Sequence, residues 1–328
     1  MTYPTISARA HANIALAKYW GKASVQNNMP AVPSVSVTLK ALTTTTRVTW
    51  DEWLTDDEIQ VNGVIQQGRG RERVVELLDR VRRFAGISVR ARVISSNDFP
   101  TAAGLASSAS AFAALALAAT QGAGLGWDRA RISDLARQSS ASAARSLYGG
   151  FVRLGAGEGS TTYLPAEPLA SAEHWDLRIV VAVLSDKAKA VGSTVGMNHT
   201  QTSSPYFEAW KAFCHRLAPR IEEAILRKDL KEVGEMAEQS ALAMHASAMA
   251  AAPAVIYFEP TTLAVLQAVR DMRGGGLSAY ATMDAGPHVK VITMGADADE
   301  VVERLERIPG VLRTMVSEVG GPAEIVSP

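Results

Sequence analysis

Between Phe99 and Trp127 the chain carries no charged residue, and this stretch constrains the possible folds more than any other. It is long enough to span a bilayer, but Ala, Ser and Gly dominate it, with Pro100 and Gly104 near its start. Small residues of this kind suit a helix that packs closely against other parts of a protein. We therefore expect a buried helix here and no membrane partner.

The predicted helix follows a loop of small residues, Pro100–Ser108, with the sequence PTAAGLASS. Small residues let the backbone approach a ligand, and the free N–H groups at a helix start favour a bound phosphate. Ser107 or Ser108 could cap the helix, or offer a hydroxyl to a phosphate or to Mg²⁺. A serine cap on a buried helix explains the same residues, so the loop by itself leaves both interpretations open.

The rest of the sequence predicts two α+β domains that are joined closely. Leu177–Leu184 is a continuous apolar run typical of a buried strand, and we place the domain boundary just after it, at 184/185. The predicted domains are therefore 1–184 and 185–328. Periodicity predicts helices at Arg71–Phe84, Trp127–Gln138, Tyr206–Leu226, Leu230–Met249, Thr262–Met272 and Ala298–Ile308, and strands at Ser34–Leu39, Thr43–Val48, Val89–Ile94, Phe151–Leu154, Ser278–Met283 and Val289–Met294.

Charge and cysteine content exclude several classes of protein. Lys+Arg and Asp+Glu balance at 33 each, so no overall basic field attracts nucleic acid, and any anion must be bound by a local site. The lone Cys214 cannot form an internal disulfide, which together with the absence of a signal-like N-terminus predicts a cytoplasmic protein. The six histidines lack metal-ligand spacing, so we predict no metal site built from a side-chain cluster.

Three other segments carry side chains suited to an anionic substrate. Ser142 and Arg145 share a face if their segment is helical, and an arginine fork can hold a carboxylate or phosphate. Asp284 lies in a predicted turn between two strands, where a carboxylate could act on a substrate hydroxyl. Lys18 and Lys22, in an otherwise apolar stretch, need an anionic partner more than surface lysines do. Capping, turn formation and solvation also explain each segment separately.

Taken together, these segments resemble the diphosphomevalonate decarboxylases, members of the kinase superfamily that includes galactokinase, homoserine kinase and mevalonate kinase. The similar segments follow the family's order along nearly the whole chain: Asn13–Lys22, Ser34–Leu39, Pro100–Ser108, Arg145–Phe151, Gly192–Met197, Met244–Ala246 and Met283–Pro287. The resemblance implies a GHMP-kinase-like α+β fold, with a ribosomal protein S5 domain 2-like N-terminal domain and a ferredoxin-like α/β C-terminal domain. It also implies a homodimer.

The reaction implied by the resemblance is ATP-dependent decarboxylation of mevalonate 5-diphosphate to isopentenyl diphosphate, in the mevalonate pathway of isoprenoid biosynthesis. Phosphorylation makes the tertiary 3-hydroxyl a good leaving group, and its loss leaves positive charge at C3 as the carboxylate departs as CO₂. ADP and phosphate are the other products. Asp284 would orient or deprotonate the hydroxyl, Arg145 would hold the carboxylate, and Lys18 would stabilise charge at the transferring phosphate.

The resemblance also implies binding roles. Gly104, Ser107 and Ser108 would contact the ATP phosphates, with Mg²⁺ bridging those phosphates and the hydroxyl of Ser107 or Ser108 available to it. The positions that match substrate contacts are Asn13, Tyr19, Lys22, Ser140, Ser142 and Ser193.

The chain departs from the family pattern at three places. It has Val32-Pro33 where the family commonly has Asn-Ser, His288 in place of an asparagine, and Ala141 in place of a glycine. These positions border the expected substrate pocket, so they bear on the 5-substituent more than on the reaction type. Two alternatives therefore remain: a related kinase or decarboxylase acting on mevalonate or its 5-phosphate, and a non-catalytic nucleotide-binding protein.

Overall fold

The computed structural model describes residues 3–24, 27–99, 107–157, 161–187 and 189–327. Its strands, in chain order, are β1 (Ile6–Ala17), β2 (Lys22–Ser24), β3 (Met29–Pro30), β4 (Ser34–Asp51), β5 (Glu58–Val61), β6 (Val64–Ile65), β7 (Arg90–Asn97), β8 (Phe151–Leu154), β9 (Glu167–Ala170), β10 (Leu177–Val183), β11 (Tyr280–Met283), β12 (Val289–Met294), β13 (Arg313–Glu318) and β14 (Glu324–Val326). The helices are α1 (Gly68–Ala85), α2 (Ser107–Gly122), α3 (Arg129–Ser139), α4 (Ala141–Ser146), α5 (Ser193–Ser203), α6 (Phe207–Arg227), α7 (Leu230–Met249), α8 (Pro260–Gly274) and α9 (Ala298–Glu306).

The first sheet has eight strands and is built around the long antiparallel pair β1–β4. The uncharged helix α2 packs on it, with a row of completely buried alanines from Ala113 to Ala119 against strand residues such as Val48. Alanine allows this close approach because its side chain is a single methyl group. The buried helix predicted from the sequence is therefore present. None of the helices in the described part of the chain combines the length and apolarity that crossing a membrane requires.

The second sheet has four strands in the order β11-β12-β10-β13. The predicted boundary at 184/185 placed β10 in the first domain, but β10 pairs along its length with β12 and β13. An apolar run predicts that a strand is buried, but it carries no information about which strands it pairs with. We therefore propose a boundary before Leu177. The chain then returns to the first sheet, where β14 pairs with β1.

The two sheets share a hydrophobic core with helices α6 and α7. This core joins Ile14 and Leu16 of β1 to Ile179 of β10 and to Ile221 of α6, all of them buried. Alternate residues of β10, such as Val180, face the other side of the second sheet, where α8 and α9 pack. The arrangement brings the end of β1 next to α7 and to the turn between β11 and β12.

Candidate active site

Lys18 and Asp284, from the two halves of the chain, meet where β1 ends. Lys18 follows the last residue of β1, and its backbone N–H donates to Ser240 Oγ of α7 at 3.0 Å. Its Nζ lies 2.7 Å from Oδ1 of Asp284, which follows β11. The Lys18 side chain is 1% exposed and that of Asp284 is 25% exposed. A buried ammonium thus faces a carboxylate that remains open on one side.

A second lysine, Lys290, contacts the same carboxylate and was missed in the sequence analysis. Its Nζ lies 3.4 Å from Asp284 Oδ2, and the residue is completely buried in β12. By itself, the pattern of a lysine between Val289 and Val291 predicts only an ordinary strand. The available signal was its setting, because a lysine in an otherwise apolar strand needs a buried anion, and Asp284 is the nearest acidic residue across the turn.

Burial and mutual contact shift the ionisation of these groups. Burial opposes ionisation of Asp284, but Lys18 and Lys290 outweigh it and hold the pKa of its carboxyl below the ordinary value. Burial lowers the pKa of Lys18 to about 8, in spite of Asp284. Burial also lowers the pKa of Arg145 to about 10. At neutral pH the site holds one carboxylate among several cations.

Arg145, on the short helix α4, points its guanidinium at neutral groups. It donates from Nη1 to Ser34 Oγ at 2.7 Å, from Nε to Ser36 Oγ at 3.0 Å, and from Nη2 to Asn13 Oδ1 at 3.3 Å. Within the described ranges, no carboxylate lies within ion-pair distance of this 2% exposed arginine. A buried guanidinium without an anion is suited to binding one from a ligand.

Asn13, Ser140 and Ser142 surround Arg145 through their own hydrogen bonds. Asn13 Nδ2 donates to the Ser142 carbonyl at 2.9 Å and to Ser146 Oγ at 2.7 Å, while its oxygen accepts from Arg145. Ser140 and Ser142 pair through their hydroxyls at 3.1 Å. The structure therefore brings these predicted residues together, and it gives Asn13 a role in orienting Arg145.

Tyr19 and Lys22 continue the positive side of the site beyond Lys18. The Tyr19 hydroxyl is buried and has no hydrogen-bond partner among the described residues, and burial raises its pKa. Lys22 is 4% exposed, and burial together with Arg73 and Arg69 lowers its pKa. Lys22, Arg69 and Arg73 are three cations at this end of the site that could bind a phosphate group.

Ser193, at the start of α5, is linked to the Asp284 turn through Lys189. Lys189 Nζ donates to Ser193 Oγ at 2.7 Å and to the Ala285 carbonyl at 3.0 Å. Lys189 is a second residue that the sequence analysis missed, because nothing in its local sequence distinguishes it from a solvated surface lysine. Its contacts make Ser193 and Asp284 neighbours in one site.

Ser107 and Ser108 form the beginning of α2, as predicted, and both are half-buried. A hydrogen bond of 2.7 Å between Ser110 and Thr44 hydroxyls ties this first turn to β4. Gly104 and the rest of the predicted phosphate loop before Ser107 lie outside the described residues. In the part of the chain that is described, no group of three or more His, Cys, Asp or Glu side chains is arranged to hold a metal ion.

Two buried histidines support the turn that carries Asp284. The His245 ring on α7 lies against the Asp284 turn, and its centroid is 4.6 Å from that of the Phe258 ring. Burial and the nearby Lys18 lower the pKa of His245 to about 3, so this ring stays neutral. His288, which replaces a family asparagine, accepts a hydrogen bond at Nδ1 from the Leu184 N–H at 3.1 Å. This bond ties the turn to the segment after β10.

Comparison with known proteins agrees with this geometry. The family model described as "Diphosphomevalonate decarboxylase-like N-terminal domain" matches residues 10–164, and that described as "Mevalonate 5-diphosphate decarboxylase C-terminal domain" matches residues 179–322. A phosphomevalonate decarboxylase of Haloferax volcanii is 34% identical over 321 residues, covering 98% of this chain and 97% of the relative. The second family match begins inside β10, in agreement with a boundary earlier than 184/185.

Solved structures give the same result. The crystal structure of mevalonate diphosphate decarboxylase from Staphylococcus aureus superposes with a TM-score of 0.95 at 36% identity, covering 100% of this chain and 99% of that one. The structure of MDDEF in complex with MVAPP, AMPPCP and magnesium has a TM-score of 0.92 at 36% identity, with coverages of 99% and 100%. The predicted two-domain, GHMP-kinase-like α+β fold is thereby confirmed. This chain belongs to the diphosphomevalonate decarboxylase family.

Proposed function

We propose that this protein catalyses ATP-dependent decarboxylation of mevalonate 5-diphosphate to isopentenyl diphosphate, releasing ADP, phosphate and CO₂. The observation that carries the proposal is that one site holds both a partly exposed carboxylate and a buried arginine without an acidic partner among the described residues. Asp284, ionised and partly open, is suited to a hydroxyl, and Arg145, which lacks an acidic partner, is suited to a carboxylate. A 3-hydroxy acid presents both groups on neighbouring carbons.

The residues divide the reaction between them. Asp284 accepts a hydrogen bond from the 3-hydroxyl, orients its oxygen for phosphorylation and takes its proton as the new O–P bond forms and ADP leaves, while Lys18 stabilises the charge on the phosphoryl group in transfer. Arg145 holds the carboxylate until the C–C bond breaks. Loss of phosphate from C3 and loss of CO₂ then leave the alkene, and the pair of electrons from the broken C–C bond forms its second bond.

The binding residues fall into two groups. Ser107 and Ser108 at the start of α2 are suited to the ATP phosphates, because the first N–H groups of a helix are free to donate and its N-terminus carries partial positive charge. Mg²⁺ bound with ATP would neutralise phosphate charge, and we propose the hydroxyl of Ser107 or Ser108 as the protein group that would contact it. Gly104 stays in this group as a prediction. The proposed contacts to the substrate and its 5-diphosphate are Asn13, Tyr19, Lys22, Ser140, Ser142 and Ser193.

The proposal extends to compartment and assembly. We propose a cytoplasmic enzyme, a compartment supported by the buried free thiol of Cys214, which is suited to a reducing environment. The homodimer is proposed on the resemblance to the family.

The experiment that tests the function measures products from three substrates. Purified protein is incubated with ATP, Mg²⁺ and, separately, mevalonate, its 5-phosphate and its 5-diphosphate. We expect ADP, free phosphate and CO₂ in equal amounts from the 5-diphosphate. Asp284→Asn keeps the shape of the side chain and removes its charge, so it should abolish turnover, with a fall in kcat of about a thousandfold or more, while nucleotide binding measured by calorimetry stays nearly unchanged.

The other outcomes identify the alternatives. The Haloferax relative is named a phosphomevalonate decarboxylase, so preferred turnover of the 5-phosphate would place this chain with that activity. ADP with a stable phosphorylated product and no CO₂ would indicate a kinase. Nucleotide binding without turnover of any of the three substrates would indicate a binding protein and contradict the proposal.

A further inference from the structure

The Asp284 carboxylate has two lysines close to it, one more than a single ion pair requires. Lys18 Nζ lies 2.7 Å from Oδ1, and Lys290 Nζ lies 3.4 Å from Oδ2. Both lysine side chains are 1% exposed. The chemistry described above uses Lys18 at the transferring phosphoryl group and gives no part to Lys290.

The two lysines are held in different ways. Lys290 lies within a central strand, opposite Thr282 on one side and Val181 on the other. Lys18 lies just beyond the end of β1, where pairing with β4 has stopped at Ala17. Its backbone is fixed by Ser240, but its ammonium has Asp284 as its partner among the described side chains. Lys290 is therefore anchored by the sheet, and its Nζ also donates to the His288 carbonyl at 3.5 Å, whereas Lys18 lies beyond the paired part of its strand.

We propose that Lys290 is a positioning residue that remains paired with Asp284 while Lys18 moves from the carboxylate to the phosphoryl group in transfer. The inference rests on the proposed function. If Lys18 were the sole counter-charge, its departure would leave a buried carboxylate unpaired, which is strongly unfavourable. With Lys290 in place, Asp284 stays ionised and oriented until the hydroxyl oxygen attacks and gives up its proton.

Besides His288 in the same turn, five charged or titratable groups among the described residues face Asp284 from the elements packed against it. These groups are Lys18 at the end of β1, His245 on α7, Arg145 on α4, Lys189 before α5 and Lys290 on β12. His245 stays neutral, and burial lowers the pKa of Lys189. Among the described side chains, Lys18 and Lys290 are within ion-pair distance of the carboxylate. Removal of Lys290 therefore leaves Lys18 to serve both roles.

The decisive experiment is the pH profile of Lys290→Met, which keeps the length of the side chain and removes its charge. Since one neighbouring cation lowers a carboxyl pKa by about one unit or more, we expect the acidic limb of kcat to move upward by at least that amount. We also expect kcat to fall by about tenfold or more, while KM for ATP changes little. Lys290→Arg keeps the charge and should restore most of the rate and the original limb.

Thr282→Val is the matched packing control, because Thr282 lies opposite Lys290 on β11, is completely buried, and its hydroxyl has no hydrogen-bond partner among the described residues. We expect this variant to keep the acidic limb where it is in the unaltered protein. An unchanged limb in Lys290→Met, with turnover intact in the unaltered protein, would overturn the proposal. No turnover in the unaltered protein would instead contradict the proposed function.

A double-mutant cycle of melting temperatures tests the Lys290–Asp284 pair without measuring activity. It replaces the pH profile if the Lys290→Met protein is too unstable to assay. Asp284→Asn leaves two buried ammonium groups unpaired, so adding Lys290→Met to it should raise the melting temperature. The same change made in the unaltered protein should lower it. Equal losses in both backgrounds, or failure of the double variant to fold, would show that Lys290 does not act through Asp284.

Discussion

At the scale of single residues, burial decides which charged groups can do chemistry. The Lys18 ammonium is completely enclosed, and burial lowers its pKa to about 8 even with Asp284 beside it. Arg145 is equally enclosed, but its pKa of about 10 keeps it charged at any physiological pH. The two cations therefore differ in function, because the first can lose its charge in a mildly basic solution and the second cannot.

The lowered pKa of Lys18 predicts a basic limb in the rate profile. Below a pH of about 8 the side chain is protonated and can stabilise the phosphoryl group. Above that pH the proton is lost, so kcat/KM should fall about tenfold per pH unit. The measurement is kcat/KM from pH 6.5 to 10. In Lys18→Arg the side chain stays charged, so the limb should disappear from this range while kcat is reduced.

Lys22→Arg is the control for this assignment, because burial also lowers the pKa of Lys22 but it does not pair with Asp284. The limb should stay near pH 8 in that variant. If the limb persists in Lys18→Arg and disappears in Lys22→Arg, the titrating group is Lys22.

The sequence identified the residues that need a partner, but not every partner. Lys18 and Asp284, both predicted as site residues, are 266 positions apart in sequence, and their side chains lie 2.7 Å from each other in the structure. Lys290 was missed because strand alternation allows a lysine to face either solvent or the interior. Which face is buried depends on the packing of α7 and β1, and that is a property of the whole fold.

At the scale of elements, the spacing of apolar residues predicted most helices and strands. It could not predict which strands pair with each other. Strand β12 has the predicted bounds, Val289–Met294, and α7 has the predicted bounds, Leu230–Met249. The placement of β10 in the first predicted domain and the lack of any predicted strand for β1 have a common cause. Hydrogen-bond partners of a strand come from distant sequence, so a local pattern cannot identify them.

The packing of α7 on β11 predicts that a glycine-to-alanine substitution in this helix lowers the stability of the protein. Glycine-to-alanine changes within helices ordinarily stabilise by up to about 1 kcal/mol. At Gly234, however, an added Cβ would lie 2.1 Å from Cγ of Tyr280, on the strand that leads to Asp284. Overpacking of this kind costs about 1–3 kcal/mol, so Gly234→Ala should lower the melting temperature by several degrees, as measured by circular dichroism.

Gly274→Ala at the end of α8 is the matched control, because an added Cβ there has nothing within 4 Å. We expect its melting temperature to be unchanged or slightly raised. A Gly234→Ala protein as stable as the Gly274→Ala protein would mean that Tyr280 moves aside easily and that the α7–β11 contact is loose.

At the scale of the whole molecule, the two sheets are not independent folding units. Buried residues of β1 and β4 lie in the same core as those of β10, with α6 and α7 between them. Strand β14, after the second sheet, pairs with β1 of the first. The proposed catalytic residues follow the same division, with Lys18 and Arg145 from the first unit and Asp284 from the second. Unfolding of either unit would therefore expose the shared core and dismantle the site.

This sharing predicts a single cooperative unfolding transition, although the chain has two domains by its sheets. Separating the units would expose the shared core residues Leu16, Val37, Ile179 and Ile221 to water. Exposure of apolar surface costs a free energy of about 25 cal/mol per Å². We therefore expect that neither unit stays folded without the other. Calorimetry should give one peak whose van't Hoff and calorimetric enthalpies agree, and loss of ellipticity should coincide with loss of activity. Two resolved peaks would mean that the core between the sheets contributes little, and that Lys18 and Asp284 are brought together mainly by ligands.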